Sequence, residues 1–234
     1  DPNNRTLRAN SRNSRQTLLI SLVVMSLLLG ACLQPEAQDP TVPTPEPQSI
    51  LFQDTPAPPS IDPASETAFL SIEENGYAHL FLFRSLDLQW TRITAGAPND
   101  TAPALDPART RLAFASDRDG DWDLYVLSLS TGELTQVTNT PAYDSAPSWS
   151  PDGQWLAYET YQNDNLEIAV VNVESNEVIP LTQDLASDHS PAWAPDGRNV
   201  AFISTRGGDS DVWLANLDLS GEERYRNLSN TPLA

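Results

Sequence analysis

Short apolar runs alternate with polar turns through most of the chain after its first sixty residues. Equivalent runs occur at 68–70, 112–114, 156–158 and 200–202. They are rich in β-branched and aromatic residues and are bounded by Pro, Asp and Gly, which is typical of β-strands. No segment in this part shows the apolar spacing of an amphipathic helix. The pattern therefore predicts an all-β fold.

The same pattern repeats at a spacing of 44 residues. Residues 147–153 read Pro-Ser-Trp-Ser-Pro-Asp-Gly, and residues 191–197 read Pro-Ala-Trp-Ala-Pro-Asp-Gly. Repeats of about 40–45 residues with four strands each are typical of β-propeller blades. We expect four blades, belonging to a ring of roughly six to eight in this architecture. Their predicted bounds are 56–99, 100–143, 144–187 and 188–234, with a short insertion near Gly221 and an incomplete C-terminal end.

The sequence motif of the repeat resembles that of a known family. Residues 149–158 and 191–202 share the pattern Trp-x-Pro-Asp-Gly followed by an apolar strand, and residues 116–125 match the turn and strand that come next. These segments resemble the PD40 (WD40-like) repeat of TolB-type propellers, and the resemblance covers 56–234. It implies a propeller and, weakly, contact with a peptidoglycan-associated lipoprotein. In that family an α/β domain precedes the propeller, whereas a lipobox-like motif and a Pro-rich spacer are expected at that place here.

The N-terminal region predicts export. Four Arg residues precede an apolar run at 17–29, which is shorter than the roughly 20 residues of a spanning helix. A basic segment before a short apolar run is typical of a signal peptide, although a retained short anchor is the alternative. Leu29-Gly30-Ala31-Cys32 then resembles the bacterial lipobox. The resemblance implies a lipoprotein signal peptide at 1–31 and a lipid on Cys32 that holds the protein to a membrane, in the periplasm or at the cell surface.

The segment 32–55 is rich in Pro. Because Pro fixes φ and removes a backbone donor, helix and central strand are both disfavoured there. We expect an extended spacer between the lipid-bearing Cys32 and the blades.

The composition of the chain excludes several classes of function and of metal site. The chain of 234 residues has 32 acidic and 13 basic side chains and a net charge of −19. This charge argues against nucleic-acid binding, which needs cations for the phosphates. One Cys excludes an internal disulfide framework, and two His leave little for a His-based metal centre. We expect no cofactor.

Three equivalent acids are the first candidate site. Asp100, Asp144 and Asp188 each open a repeat, which in a propeller places them around the mouth of the central channel. One hypothesis is an acidic rim that binds a cation or a basic group of a partner. The alternative is local, because Asp carboxylates in turns commonly accept backbone N–H bonds.

Other candidates have weaker patterns. The densest acid cluster suggests a calcium loop, but its order differs from an EF-hand, and a solvated hairpin is the simpler interpretation; its members are Asp117, Asp119, Asp121 and Asp123. His79 and His189 occupy non-equivalent positions, and neither has a Ser or Cys placed to form a nucleophile pair. Three Trp residues are predicted to pack between blades rather than to bind ligands: Trp149, Trp193 and Trp213.

These patterns favour a non-enzymatic binding or scaffold lipoprotein outside the cytoplasmic membrane. Its expected partners are the membrane, envelope proteins or peptidoglycan-associated components. One alternative is the gating propeller of a prolyl-oligopeptidase-type peptidase whose hydrolase domain lies elsewhere. Another is the sensor domain of an envelope receptor.

Overall fold

The structure is a computed structural model that describes residues 67–229. The predicted signal peptide, the spacer and Cys32 lie outside these residues. The described part consists of four antiparallel sheets and one short 3-10 helix. Three sheets have four strands, and the first has three within the described range. The predicted all-β propeller blades are confirmed, and we number them blades 1 to 4.

Each blade is a meander in which consecutive strands pair. Blade 1 contains β1 (Thr67–Glu74), β2 (Tyr77–Arg84) and β3 (Gln89–Arg92). Blade 2 contains β4 (Asp100–Leu105), β5 (Arg111–Ser116), β6 (Asp123–Ser128) and β7 (Leu134–Gln136). Blade 3 contains β8 (Asp144–Trp149), β9 (Trp155–Gln162), β10 (Asn165–Asn172) and β11 (Val178–Pro180). Blade 4 contains β12 (Asp188–Trp193), β13 (Asn199–Ser204), β14 (Asp211–Asn216), the 3-10 helix (Gly221–Arg224) and β15 (Tyr225–Asn227).

The hairpin between β1 and β2 in blade 1, and the equivalent hairpin between the second and third strands of blades 2, 3 and 4, contains residues with left-handed backbone. In blade 1 the turn is Asn75-Gly76, with φ of 55° and 84°. In blade 3 it is Asn163-Asp164, with φ of 50° and 69°. Tight hairpins require positive φ, which Gly, Asn and Asp tolerate best. Asp164 therefore takes the place that Gly holds in the other repeats.

The first strand of blades 2, 3 and 4 contains a bulge. The pairing of β4, β8 and β12 with the next strand shifts register near the middle. The residues at the shift have positive φ and are again 44 apart: Ala102 (50°), Ala146 (52°) and Ser190 (54°). A bulge bends the strand and increases its twist. Because it recurs in all three blades, this local strain belongs to the architecture.

The hydrophobic core lies between neighbouring blades. Trp149 packs with Ala113 and Val126 of blade 2 and with Leu156 of its own blade. Its Nε1 also donates to the carbonyl of Ala104, 2.9 Å away. Trp193 and Trp213 pack against the cluster that joins blades 3 and 4. All three predicted Trp residues thus contact apolar clusters. None of the described residues forms a helix long and apolar enough to cross a membrane.

Candidate functional site at the strand-start ends of the blades

The three predicted aspartates begin the first strands of their blades. Asp100, Asp144 and Asp188 are the first residues of β4, β8 and β12, which are the edge strands next to the neighbouring blades. We call this end of the blades the strand-start end. Their exposed fractions are only 1%, 0% and 0%. The structure therefore places the three carboxylates at equivalent strand starts and buries them.

In blade 2 the buried carboxylate is paired with an arginine. Arg118 Nη2 donates to Asp100 Oδ1 across 2.8 Å, and its Nε donates to Ser116 Oγ across 2.9 Å. The guanidinium carbon also lies 4.7 Å from the ring centre of Tyr125. A buried carboxylate needs such a partner because desolvation of an unpaired charge is costly. The partner comes from the next hairpin and not from a backbone N–H of the same loop, as the local interpretation expected.

Blade 4 repeats this arrangement 88 residues later. Arg206 Nη2 donates to Asp188 Oδ2 across 2.5 Å, and its Nε donates to Ser204 Oγ across 2.8 Å. The same guanidinium lies 5.1 Å from the ring centre of Trp213, the counterpart of Tyr125, and 4.5 Å from that of Tyr225. Burial nevertheless raises the pKa of Asp188, against the hydroxyl of Ser204 and the charge of Arg206. The repeat thus preserves an Asp–Arg–aromatic unit.

Blade 3 lacks the arginine of this unit. Gln162 stands at the equivalent position, and its Nε2 reaches Thr160 Oγ1 at 3.5 Å. Asp144 instead accepts a hydrogen bond from Thr140 Oγ1 at 3.3 Å. Burial raises the pKa of Asp144, with nearby threonine hydroxyls opposing and the charge of Asp123 adding to the shift. Blade 3 therefore keeps its buried acid without the guanidinium found in blades 2 and 4.

A second row of buried acids escaped the sequence analysis. These acids lie near the start of the third strand of blades 2, 3 and 4, and each accepts a hydrogen bond from a hydroxyl in the blade's last strand or in the loop after it. The pairs are Asp123 with Thr138 (3.1 Å), Glu167 with Thr182 (2.7 Å) and Asp211 with Ser229 (2.6 Å). The same hydroxyls accept backbone N–H bonds from Leu124, Ile168 and Val212. The signal was present as an acid at a spacing of 44 residues with a hydroxyl residue further on.

The calcium hypothesis finds no common centre. Asp117 accepts from Asn99 Nδ2 at 2.7 Å, whereas Asp119 accepts from the Tyr125 hydroxyl at 2.6 Å. Asp123 belongs to the second row of acids. Within residues 67–229, no group of three or more His, Cys, Asp or Glu side chains is arranged to hold a metal ion. Three carboxylates of the cluster, those of Asp117, Asp119 and Asp123, are thus directed to different partners.

The two histidines differ in their surroundings. Burial lowers the pKa of His79, with Arg92 adding to the effect. His189 Nδ1 lies 3.0 Å from the Oγ of its sequence neighbour Ser190. The contact arises at the recurring bulge, where Ser190 takes the same positive φ as Ala102. The strand geometry explains this neighbour contact without a catalytic role.

The architecture and the repeat agree with comparisons to known proteins. Residues 121–231 match the family described as the TolB beta propeller domain. No curated protein matches this chain. The fold is similar to that of the putative TolB from Agrobacterium tumefaciens, with a TM-score of 0.62 and 21% identity over 69% of this chain and 60% of that one.

Two further structures show the range of proteins that share this fold. TolB from Acinetobacter baumannii has a TM-score of 0.63 and 23% identity over 70% of this chain and 41% of its own. A puromycin hydrolase has a TM-score of 0.56 and 14% identity over 72% of this chain and 28% of its own. The chain thus spans less than two thirds of each of these proteins. The described part of the chain is therefore a β-propeller fragment whose fold is similar to that of TolB propellers.

Proposed function

We propose that this protein is a non-enzymatic binding or scaffold lipoprotein of the bacterial envelope, attached to a membrane through Cys32. The observation that supports this most directly is the use of its buried acids. Asp100 and Asp188 are engaged by arginines, and Glu167 is engaged by Thr182. A general acid or base must lie within hydrogen-bond reach of a substrate. The carboxylates instead hold the loops at the strand-start end in place through these hydrogen bonds.

The loops at that end present apolar side chains to solvent. Tyr143 and Tyr161 are both exposed, and a backbone hydrogen bond of 2.9 Å from Tyr161 N to Tyr143 O joins their segments. The ring centre of Trp122 lies 5.9 Å from that of Tyr143. Tyr and Trp are enriched in protein–protein interfaces. This aromatic loop surface, made of Trp122, Tyr143 and Tyr161, is our candidate for the contact with an envelope protein.

Site-specific photo-crosslinking tests this function. A photoreactive amino acid is placed at Tyr161 in the full chain, expressed in a Gram-negative bacterium. The matched control is Val178 on edge strand β11, because the two residues have similar exposed fractions of 49% and 46%. We expect a discrete light-dependent adduct with an envelope protein from position 161 alone. Identical adducts from both positions, or none from position 161, would refute the proposed surface.

A second function has one observation in its favour. The chain is similar to 28% of a puromycin hydrolase, so these blades also fit the propeller of a larger peptidase. The native full-length protein is treated with a fluorophosphonate probe, which labels activated serines, and assayed with capped peptide substrates. Labelling together with hydrolysis supports the peptidase. The absence of both labelling and hydrolysis supports the binding lipoprotein.

A further inference from the structure

A cleft lies between blades 3 and 4 at the end opposite the strand-start end. It has a volume of about 530 Å³. We call it the seam cleft. Its walls include Trp155, Leu181, Trp193, Gly197, Leu217 and Arg224. The last of these comes from the 3-10 helix of the blade 4 insertion. Arg224 is directed to main-chain carbonyls, because its Nε donates to Leu219 O at 2.9 Å.

The equivalent place between blades 2 and 3 is filled by an arginine of the chain itself. The guanidinium carbon of Arg111 lies 4.6 Å from the ring centre of Trp149. Its Nη2 donates to Gly153 O at 2.5 Å, and its Nε donates to Asp106 Oδ2 at 3.1 Å. An aromatic face, a glycine carbonyl and a carboxylate together hold the cation. The seam between blades 2 and 3 thus shows that the repeat can hold a guanidinium group at this place.

The seam between blades 3 and 4 keeps the tryptophan and the glycine that hold the guanidinium of Arg111, but it lacks the arginine itself. Moving 44 residues along the chain converts Trp149 to Trp193 and Gly153 to Gly197, but Arg111 to Trp155. A Cβ built on Gly153 would lie 2.9 Å from Arg111 Nη2. A Cβ built on Gly197 would meet only Pro151, at 4.0 Å, among the described residues. The space beside the second glycine turn is therefore open to the seam cleft.

The charge around the seam cleft favours a cation with an apolar stem. Asp152 and Asp196 line it from the two Pro-Asp-Gly turns. A hydrogen bond from Ser150 lowers the pKa of Asp152, and the backbone N–H of Arg198 lowers that of Asp196. Both carboxylates are ionised at neutral pH. Arginine lays its methylene stem along apolar surface while its guanidinium stacks on an aromatic face.

One of the residues that line the seam cleft carries an unpaired donor. Trp193 Nε1 is buried and has no hydrogen-bond partner among the described residues. A buried donor without an acceptor is unfavourable, and a peptide carbonyl would satisfy it. We propose that the seam cleft binds an arginine side chain presented by a peptide segment of a protein partner. This inference rests on the proposed binding function for its biological partner, whereas the seam cleft itself is testable alone.

The experiment titrates the full-chain protein with capped Gly-Arg-Gly and, as a neutral isostere, capped Gly-citrulline-Gly. Binding is followed through the NMR signal of the Trp193 indole N–H, assigned by substitution. We expect a saturable shift with the arginine peptide and binding about tenfold weaker with citrulline, since the cation–π and carboxylate contacts require the charge. Equal binding of the two peptides, or no binding of either, overturns the proposal.

Variants separate the seam cleft from general charge effects. Trp155→Arg places a guanidinium in the chain as Arg111 does in the neighbouring seam, and we expect it to weaken the arginine peptide about tenfold or more. Trp90→Arg is the matched control, because Trp90 lies on β3 of blade 1 and is 42% exposed; its binding should equal that of the wild type. Unchanged binding in a folded Trp155→Arg variant rejects the proposal.

A milder variant covers the case in which Trp155→Arg does not fold. Asp152→Asn changes an exposed turn carboxylate, and we expect roughly threefold weaker binding with a smaller salt dependence. Unchanged affinity and salt dependence count against the proposal. If the peptide does not bind but the Tyr161 crosslink persists, the seam cleft fails and the proposed function stands. If the peptide binds but position 161 gives no crosslink, the seam cleft stands and the proposed binding surface fails.

Discussion

Arg118 and Asp100 form an ion pair of 2.8 Å that ties the second hairpin of blade 2 to the start of its first strand. The carboxylate side chain is 1% exposed and the arginine side chain 21% exposed, so the pair is largely removed from solvent. Arg206 and Asp188 repeat it in blade 4. The repeated pair fixes the loop that carries each blade to the next, and blade 3 departs from it.

Removing the arginine from this pair should destabilise the propeller. Arg118→Met leaves Asp100 buried without its cation, and we expect a loss of about 3 kcal/mol in the free energy of unfolding. The control is Arg84→Met, since the pair of Arg84 with Asp87 is solvent-exposed and should contribute less than about 1 kcal/mol. Urea unfolding measures both. Similar losses in the two variants contradict the structural role of the Asp100 pair.

Blade 3 should gain stability from the arginine that its sister blades possess. Gln162→Arg supplies a guanidinium beside Asp144, and we expect a gain of about 1 kcal/mol at neutral pH. Gln162→Met is the control, because it fills similar volume without a charge. Thermal unfolding at neutral pH compares the three proteins. A gain shared by both variants would point to packing instead of charge pairing.

Asp144 should make stability fall as pH rises. Its pKa is raised by burial above the ordinary value of 3.8. The folded state therefore binds its proton more tightly than the unfolded state, and stability is lost from pH 3.8 upward through the folded pKa. Asp144→Asn should remove this loss. Relative to wild type, the variant should become more stable as pH rises from about 4 to 7.

Asp152 supplies the matched control of opposite sign. Its pKa lies below the ordinary value, chiefly through the hydrogen bond from Ser150. Its contribution is present above that value and lost as pH falls through the folded pKa. Asp152→Asn should therefore lose stability relative to wild type as pH rises through the ordinary value of 3.8, and the difference should be constant above about pH 5. Urea unfolding at several pH values checks both, and the same slope for the two variants would rule out the assignment.

The hydroxyl of Thr182 should be needed for the second row of acids. Thr182→Val leaves Glu167 Oε2 and the backbone N–H of Ile168 without the hydroxyl that bridges them. We expect a loss of about 2–3 kcal/mol, the cost of buried polar groups without partners. Thr182→Ser should restore most of it. The exposed Thr131→Val serves as control in thermal unfolding; equal effects would show that the bridge contributes little.

Lipidation should depend on Cys32. The full chain is expressed in a Gram-negative bacterium with radiolabelled palmitate, and we expect label and membrane association for the wild type. Cys32→Ser should lose both, because one apolar run of 13 residues is short for a stable span. A Cys32→Ser protein that stays in the membrane fraction would favour the retained-anchor alternative.

The sequence alone determined the blades and their starting points. Each blade is a chain of consecutive hairpins, so its strand period and turn residues are local signals that repeat. Asp100, Asp144 and Asp188 were expected to open repeats, and they begin β4, β8 and β12. The insertion near Gly221 was visible for the same reason, and it forms the 3-10 helix.

Only the tertiary structure decided which partners the side chains have. Arg118 reaches Asp100 across 18 residues of chain, and Arg111 reaches Gly153 across 42. Such contacts depend on the twist of a sheet and on how closely two blades approach. The periodicity of the strands in the sequence specifies neither the twist of a sheet nor the distance between two blades. That is why the burial of the three aspartates, the bridging hydroxyls and the seam cleft appear only when the blades are packed together.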